Sequence, residues 1–455
     1  MPYTTKKGRM ESGRSIGHVP IVENPVVQER LRAYRVFAPA SITSVDESLF
    51  CDAQTLPRVR ESARWVISFD GSPQEVAVNE AYPSSRVGFI QIAGVLVNLD
   101  QLLGQGRQAF VDPAVVKTTI NESLYSLVLP GSNVCRQDET TVSDSWRAEV
   151  FDIFRNYRVE DLQLLDVYMG LVQVSDKARP GGVDLARCSA TESCTARNIE
   201  VPIAGCPCPQ CGRQLYPTDA LRFHEEILEE HSNATALGRL MTCLEHLIMV
   251  GYLRFLYDRQ PRVLSGVAFV MDGPLALFGP QAWLHIAILN AYHNFVQSLS
   301  QHSHRAPVVV GIEKTGQFAE HAAAISDRIP QRTLMKLPDT YIFQKILTMR
   351  LPSGATYGRD TYYGQKFFYK TAQDRLLVIT IPKPAAPVSD PENPIHYPEL
   401  APTLALLDRI GTSLFENAVI PVALAHSFAS IPLRTGTRVL TLLSQQLIGQ
   451  QSANP

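Results

Sequence analysis

The sequence predicts an α/β protein in which a sheet is covered by helices on both faces. Short, almost entirely apolar runs at 65–69, 87–99 and 263–271 alternate with longer segments of helical periodicity, and strands buried on both faces are typically continuous apolar runs of this kind. The pattern changes over 177–217, where glycine, proline and cysteine replace the periodic residues. We therefore expect an α/β core interrupted by an inserted, zinc-ribbon-like cysteine module.

A chain of 455 residues can form a large core and more than one structural unit. The composition predicts an N-terminal extension (1–60), a first part of the core (61–176), the inserted module (177–217), a second part of the core (218–440) and a C-terminal tail (441–455). Within these segments the expected helices are at 26–34, 218–230, 235–257 and 280–300, mixed helix is expected over 121–170, and further strands are expected at VVVGIE, QKFFYKT and RLLVITIP.

The net charge does not decide whether the protein binds nucleic acid, but the apolar runs indicate where in the cell it is found. A net charge of −2 is neutral toward nucleic acid, because a local basic groove is compatible with it. No secretory signal is recognisable, and the longest apolar run, 87–99, is interrupted by Gln91 and Gly94 and too short to span a bilayer. We expect a cytoplasmic protein with no membrane association.

Two strand-like runs end in the same way. WVISFDGS brings one apolar run to Asp70 and Gly71, and VAFVMDGP brings another to Asp272 and Gly273. A carboxylate at a strand end projects into the crevice where open α/β sheets bind ligands, and the glycine allows the backbone to turn beneath it. Either ending alone is explained as an Asx-turn after a strand, whereas two such endings indicate a site.

A third carboxylate lies in an apolar helical stripe. Glu245 is one turn from both Met241 and Met249 in LGRLMTCLEHLIMVGYL, and a buried glutamate is costly unless it is paired or bound to a cation. One explanation is a buried ion pair with Arg239 or Arg254. The other is a bound metal ion.

Three carboxylates from separate elements suit Mg²⁺ or Mn²⁺, which prefer oxygen ligands. Such ions activate water and neutralise charge on a phosphodiester during hydrolysis. Three further residues are candidates to assist: Lys314 toward a phosphate oxygen, Tyr369, and His426, which is either a core histidine or a proton carrier or ligand. The carboxylates therefore predict a metal-dependent hydrolase of phosphodiesters.

The order of these motifs resembles that of the NurA-type nucleases. The matching set is DGS at 70–72, a helix bearing Glu245, DGPL at 272–275, KT at 314–315, YK at 369–370 and AHSFA at 425–429. The resemblance covers about residues 60 to 435, apart from the cysteine module. The spacing from Glu245 to Asp272 is longer than is usual in the family, so alternative third acids are Glu225, Glu226, Glu229 and Glu230.

The resemblance implies a ribonuclease H/Piwi-like mixed sheet flanked by helices. It also implies exo- and endonuclease activity on DNA ends and single strands with Mn²⁺ or Mg²⁺. Members form homodimers and work with a HerA-type hexameric ATPase, which implies a role in DNA end resection or anti-phage defence. By motif match the implied catalytic residues are Asp70, Glu245, Asp272, Lys314, Tyr369 and His426. The three acids would bind the metal, and His426 is a further candidate ligand.

The inserted module carries the residues of a zinc site. In CPQCG two thiols are separated by two residues and followed by glycine, which is typical of a zinc-knuckle turn, and a structural zinc takes four ligands. We expect Cys208 and Cys211 to form one half of the site and Cys188 and Cys194 the other, with Cys206 or His224 as substitutes. Free cytosolic thiols are the alternative.

Two other functions are compatible with the sequence. A catalytically inactive NurA-like or zinc-ribbon subunit, which binds DNA or assembles with partners, would account for the unusual position of Glu245. A phosphohydrolase with an aspartyl nucleophile is disfavoured, because such sites usually carry a second aspartate two residues on, where this chain has Ser72 and Pro274.

Overall fold

The chain folds around a nine-stranded mixed sheet. The structure, a computed structural model, describes residues 18–34, 45–57, 63–78, 82–104, 120–348, 356–411, 419–432 and 435–449. Parts of the predicted N-terminal extension (1–60) and C-terminal tail (441–455) lie outside these ranges.

The strands are numbered in chain order. They are β1 (Phe50–Asp52), β2 (Trp65–Ala77), β3 (Arg86–Asn98), β4 (Ile120–Pro130), β5 (Arg158–Val159), β6 (Leu162–Gln163), β7 (Ala178–Arg179), β8 (Gly182–Arg187), β9 (Arg197–Val201), β10 (Cys206–Pro207), β11 (Gln214–Leu215), β12 (Val267–Asp272), β13 (Val308–Glu313), β14 (Thr333–Lys336), β15 (Gly364–Lys370) and β16 (Leu376–Pro382).

The helices are numbered in the same way. They are α1 (Val19–Val22), α2 (Pro25–Ala33), α3 (Leu99–Gly104), α4 (Val142–Asn156), α5 (Leu164–Gln173), α6 (Ala234–Arg259), α7 (Pro261–Leu264), α8 (Leu284–Gln301), α9 (Gln317–Ile325), α10 (Asp339–Tyr341), α11 (Leu400–Ile410), α12 (Ile420–Ala429) and α13 (Thr435–Gly449). A π-helical turn, Ile342–Ile346, follows α10 directly.

The large sheet combines a meander with parallel strands. Its order is β1-β14-β15-β16-β13-β12-β2-β3-β4. Strand β12 runs parallel to both β2 and β13, and β2, β3 and β4 follow one another as antiparallel neighbours. Among the described residues, three smaller sheets pair β5 with β6, β8 with both β7 and β9, and β10 with β11.

Helices cover both faces of this sheet, as the apolar runs predict. Ile67 and Phe69 of β2 belong to one core, which includes the buried side of α6. Val66 of β2 belongs to a second core on the opposite face, which includes Val422 and Ala425 of α12. Successive residues of a strand face opposite sides of the sheet, so a strand covered twice has no polar face. The predicted α/β class with a mixed, helix-flanked sheet is confirmed.

Two local predictions are wrong. Strand β4 lies within the segment predicted as mixed helix (121–170), because the apolar residues Leu124 and Val128 occupy its solvent face, each 50% exposed, and hide the alternation of a strand. The predicted helix at 218–230 is replaced by the 3₁₀ turns Pro217–Leu221 and Phe223–Glu226. Arg222 between them has a φ of +60°, a left-handed conformation that interrupts a right-handed helix.

Helix α6 is long and apolar enough to cross a membrane, judged by length and composition. However, 61% of its most apolar stretch is buried within the fold, where it packs against β2 and β3. Such burial is typical of a core helix.

Candidate metal centres

Asp70 and Asp272 lie side by side on parallel strands. Phe69 of β2 is in register with Met271 of β12, so the aspartate that follows each of them is at the same level of the sheet. The chain continues from β2 to β3 on one side, whereas β13, the next large-sheet strand after β12, lies on the other side. Open α/β sheets bind ligands where successive strands diverge in this way.

His426 joins the two aspartates. One ligand atom each from Asp70, Asp272 and His426 lie within 4.8 Å of one another, and we call these residues the Asp/His group. Asp70 Oδ2 is 2.6 Å from His426 Nδ1, and Asp70 Oδ1 accepts the Gly71 N–H at 2.8 Å. Lys314 Nζ donates to Asp272 Oδ2 at 2.7 Å. The Asp/His group could hold a metal ion, and in this structure a basic side chain contacts each carboxylate.

The Asp/His group opens to solvent on one side. The side chain of Asp70 is 10% exposed, whereas that of His426 on α12 is 63% exposed. An adjoining cleft of about 460 Å³ is lined by Asp272, Gly273, Pro274, Glu313, Lys314, Thr315 and His426. A ligand in this cleft would therefore meet Asp272 and His426 first, with Asp70 behind them.

Glu245 lies on α6, which packs on the face of β2 opposite to α12. It is 5% exposed, and a Cβ added to Gly71 would lie 2.8 Å from Glu245 Oε1. Within the described part of the chain its carboxylate accepts no hydrogen bond and forms no ion pair. Its oxygens are not among the atoms that lie within 4.8 Å of one another in the Asp/His group. Glu245 is therefore a neighbour of that group, and no described residue compensates a negative charge on its carboxylate.

Burial and neighbouring carboxylates raise the pKa of Asp70 and of Glu245. Burial, and then the nearby Asp272, raise the pKa of Asp70, although His426 and Lys314 act in the opposite direction. Burial, followed by Asp70 and Asp272, raises the pKa of Glu245 well above its ordinary value. Desolvation and like charges both disfavour a carboxylate's ionised form. A divalent cation beside these acids would reverse both effects.

The predicted ion-pair alternative for Glu245 is wrong. Arg239 pairs with Glu226, and Arg254 pairs with Asp258 at 3.7 Å. Both arginines lie on α6 with Glu245, but each guanidinium is used elsewhere.

The alternative third acids are either paired elsewhere or exposed. Glu225 pairs with Arg222, and Glu226 pairs with Arg239 as described. Glu229 accepts the backbone N–H groups at the start of α4, and Glu230 is exposed. Of the acids considered from the sequence, Glu245 alone lies against Gly71.

Tyr369 is not brought to the Asp/His group. Its hydroxyl donates to Asp408 Oδ1 at 3.0 Å, and the residue is 1% exposed. Strand β15 is separated from β12 by β16 and β13, which is three strand spacings, about 14 Å. A tyrosine side chain does not span that distance, so the predicted part of Tyr369 in the site is corrected.

The two glycines have different roles from one another. The chain does not turn at Gly71, as the sequence pattern suggested: β2 continues to Ala77, and Gly71 is paired with Ile92. The absence of a Cβ at Gly71 instead leaves room for Met241 and Glu245, which lie at 2.6 and 2.8 Å from the Cβ position. Gly273, directly after β12 ends, has a φ of +118°, a conformation that favours glycine.

Four cysteines form a second group. The sulfurs of Cys188, Cys194, Cys208 and Cys211 lie within 4.8 Å of one another, with Cys188 to Cys211 at 3.8 Å and Cys194 to Cys208 at 3.7 Å. Cys188 follows β8 and Cys194 precedes β9, while the other two lie in the turn between β10 and β11. The predicted four-thiol set is confirmed as a group that could hold a metal ion, and Cys206 and His224 are not among its members.

The turn in CPQCG favours a thiolate. Burial opposes ionisation of Cys208, but the backbone N–H groups of Cys211 and Gln210 and the adjacent thiols lower its pKa to about 6. Gly212, with a φ of +72°, closes the turn by donating to the Cys208 carbonyl at 2.9 Å. A deprotonated sulfur is the form that binds metals.

Buried ionic contacts join the cysteine module to the rest of the fold. Arg147 of α4, 6% exposed, donates to Asp219 and to Asp144. It also donates to the Gln214 carbonyl of β11 at 2.6 Å and to Ser189 at 3.2 Å. Arg147 therefore links the cysteine module to α4.

Sequence reasoning missed Glu313 in the cleft. Its carboxylate pairs with Lys366 at 2.6 Å, and the Lys366 ammonium, 2% exposed, lies 3.5 Å from the centroid of the Phe318 ring. The only sequence signal was its position directly before Lys314 at a strand end.

Comparisons with known proteins place the chain in no family. No protein-family model matches the sequence, and no curated protein matches it. The features that bear on function are therefore the two groups that could hold a metal ion and the cleft.

Proposed function

We propose that the chain is a divalent-metal-dependent deoxyribonuclease of the NurA type, which hydrolyses phosphodiesters at DNA ends and in single strands. The observation that carries the proposal is the uncompensated, buried carboxylate of Glu245 beside Asp70 and Asp272. A buried charge without a partner is strongly destabilising. Its retention beside two further acids is accounted for by a cation that the three share.

The fold supports a ribonuclease H/Piwi-like core. The supporting features are a mixed sheet, the meander of β2, β3 and β4 beside the parallel strands β12 and β13, and helices on both faces. The acids lie where the meander meets the parallel strands.

The donor set fits Mn²⁺ or Mg²⁺ as the ion. Asp70, Asp272 and Glu245 would supply oxygen ligands, and His426 would supply a nitrogen that Mn²⁺ accepts more readily than Mg²⁺. When bound, such an ion activates water and neutralises charge on the phosphodiester.

The chain's own residues would orient the substrate. Lys314 Nζ, 2.7 Å from Asp272, is within reach of a phosphate oxygen in the cleft. His426 is exposed at the cleft mouth and can accept or donate a proton there.

The test is cleavage of linear duplex and single-stranded DNA with Mn²⁺, with Mg²⁺ and with EDTA. We expect cleavage that requires the metal and falls by about 100-fold or more in Asp70→Asn and Asp272→Asn, because a metal supplies several kcal/mol of transition-state stabilisation. Asp258→Asn is the control, since that carboxylate is 48% exposed. Wild type without activity, with or without a partner ATPase, or normal cleavage by both variants would contradict the proposal.

We also propose the assembly that the resemblance implies: a cytoplasmic homodimer that works with a HerA-type hexameric ATPase in DNA end resection or anti-phage defence. Exposed apolar side chains on terminal helices support an interface, namely Val26 and Leu31 on α2 and Val439 and Leu442 on α13, each 57–62% exposed. Light scattering of the purified chain tests whether it is a homodimer, and a monomeric mass at micromolar concentration would contradict the homodimer.

We propose zinc as the ion of the four-cysteine group. A tetrahedron with Zn–S bonds of about 2.3 Å has S···S edges of about 3.8 Å, in agreement with the 3.7 and 3.8 Å separations. Metal analysis should find about one zinc per chain, lost in Cys208→Ser and kept in Cys206→Ser. Substoichiometric zinc in wild type would exclude a structural site.

A catalytically inactive, DNA-binding or assembly subunit is the second candidate function. It is favoured by the Lys314 ammonium on Asp272, which already supplies a positive charge, and by the position of Glu245 outside the Asp/His group. DNA binding by a wild-type chain that does not cleave under any metal condition would select it.

A further inference from the structure

A basic cleft lies at the start of β2, five residues before Asp70. Its volume is about 420 Å³ and its lining is Arg64, Trp65, Arg262, Val263, Ser265, Gly266, Ser303, His304 and Arg305. Three segments form it: the start of β2, helix α7 with the turn between it and β12, and the turn that follows α8. We call it the arginine cleft.

The arginine cleft concentrates positive charge in a chain whose net charge is −2. Four of its lining residues are basic, and none of the described lining residues is an aspartate or glutamate. Arg64 and Arg262 are both exposed, and neither forms an ion pair with another described residue. These two guanidinium groups are free to bind an anion.

Backbone contacts hold the three segments together. The N–H groups of Arg64 and Trp65 both donate to the Gly266 carbonyl, at 2.9 and 3.2 Å. Ser265 Oγ donates to the Arg305 carbonyl at 2.9 Å. The backbone positions that carry the basic side chains are therefore fixed relative to one another. This lowers the conformational entropy that is lost when a ligand binds.

The geometry points to the arginine cleft as a binding site for the phosphates of a nucleic-acid strand, away from the scissile bond. Guanidinium groups bind phosphate oxygens in pairs and remain charged at any physiological pH. The choice of nucleic acid as the phosphate source rests on the proposed nuclease function. The cleft itself is defined independently of the acids.

The separation from the acids sets which phosphates would bind. Trp65 and Asp70 are five residues apart on β2, which corresponds to about 17 Å. Phosphates along one strand of a duplex advance by about 3.4 Å per nucleotide. For a strand with duplex geometry, the arginine cleft would therefore hold phosphates about five nucleotides from the scissile one, and a very short substrate would not reach it.

The experiment measures binding without catalysis. A labelled single-stranded oligothymidylate of about 20 nucleotides, long enough for both sites, is titrated with the full chain in EDTA over a range of salt concentrations. The test variant is Arg64→Ala/Arg262→Ala. The control is Arg30→Ala/Arg32→Ala, which removes the same charge from two exposed positions on α2.

The expected result follows from counterion release. Loss of two phosphate contacts lowers the slope of log K against log salt by about 1.4, which is about 25-fold weaker binding at about 0.1 M salt. The control should bind like wild type. With Mn²⁺, the test variant should cleave a trinucleotide at the wild-type rate, with KM raised only for the longer strand.

Three outcomes would overturn the inference. They are an unchanged salt slope in the test variant, an equal loss in the control, and unchanged DNA binding accompanied by loss of binding to polyglutamate, which would identify an acidic polypeptide as the ligand. Failure of the proposed nuclease function is distinguishable, because it appears as absent cleavage in Mn²⁺ while the binding titration in EDTA still reports on the arginine cleft.

Discussion

Because no described residue pairs with the buried carboxylate of Glu245, we expect an effect on stability that can be tested without knowing the substrate. The perturbation is Glu245→Gln, which keeps the shape of the side chain and removes its charge. The pKa of Glu245 is raised above its ordinary value of 4.5 in the folded chain. Between 4.5 and that higher value the native state holds a proton that the unfolded state has lost. The metal-free wild type should therefore lose stability as pH rises through this window.

The magnitude follows from proton linkage. One such group lowers the free energy of unfolding by up to about 1.4 kcal/mol per pH unit, hence by up to about 4 kcal/mol between pH 5 and pH 8. For a 455-residue chain the entropy of unfolding is about 1 kcal/mol per kelvin. The melting temperature should therefore fall by up to about 4 °C over this range. Asp70, whose pKa is also raised, adds to the decline in both proteins.

The assay is thermal unfolding in EDTA across this pH range, with Glu225→Gln as the control. Burial raises the pKa of Glu225, but hydrogen bonds from Arg222 and Arg187 outweigh burial and lower this pKa to about 2. The ionised Glu225 therefore stabilises the fold above pH 4.5. Its substitution should lower stability at neutral pH, opposite in sign to Glu245→Gln. Parallel pH profiles for wild type and Glu245→Gln would refute the assignment of an unpaired charge.

Mn²⁺ should reverse the effect in wild type. An ion at about a hundred times its dissociation constant adds about 2.7 kcal/mol to the free energy of unfolding. Glu245→Gln should gain much less. An equal gain in the two proteins would remove Glu245 from the metal site.

Three further predictions follow from contacts in and near the site. Lys314→Met should raise Mn²⁺ affinity severalfold, because about 1 kcal/mol of ion pairing with Asp272 no longer competes; a titration showing unchanged affinity would contradict this. Gly71→Ala should cost about 1–3 kcal/mol of stability through overpacking and weaken Mn²⁺ binding, whereas Gly238→Ala, which has open space at its Cβ, should do neither. Tyr369→Phe should lower the free energy of unfolding by about 1–3 kcal/mol through the lost Asp408 bond but leave cleavage intact, and a large loss of kcat would return Tyr369 to the site.

Sequence reasoning succeeded where the signal is local. The apolar runs that lead into Asp70 and Asp272 and the apolar stripe around Glu245 are patterns within single elements, and periodicity reveals them. The cysteine pair in CPQCG is similarly local, because the chain needs only one turn to bring Cys208 and Cys211 together. Sequence reasoning failed at β4, where apolar residues on the solvent face conceal the alternation of a strand. It also failed at Arg222, whose left-handed conformation depends on its surroundings.

The sequence by itself determined the class of fold, the two Asp-Gly pairs and the Cys208/Cys211 pair, and it indicated Glu245, Cys188 and Cys194 as candidates, since each depends on residue type and short spacing. Only the tertiary structure decided which groups meet. Pairing of β2 with β12 brings Asp70 level with Asp272, the packing of α12 brings His426 to Asp70, and Asp408 takes the hydroxyl of Tyr369. These contacts join residues far apart in the chain, and their distances depend on strand order and packing, which short-range periodicity does not encode.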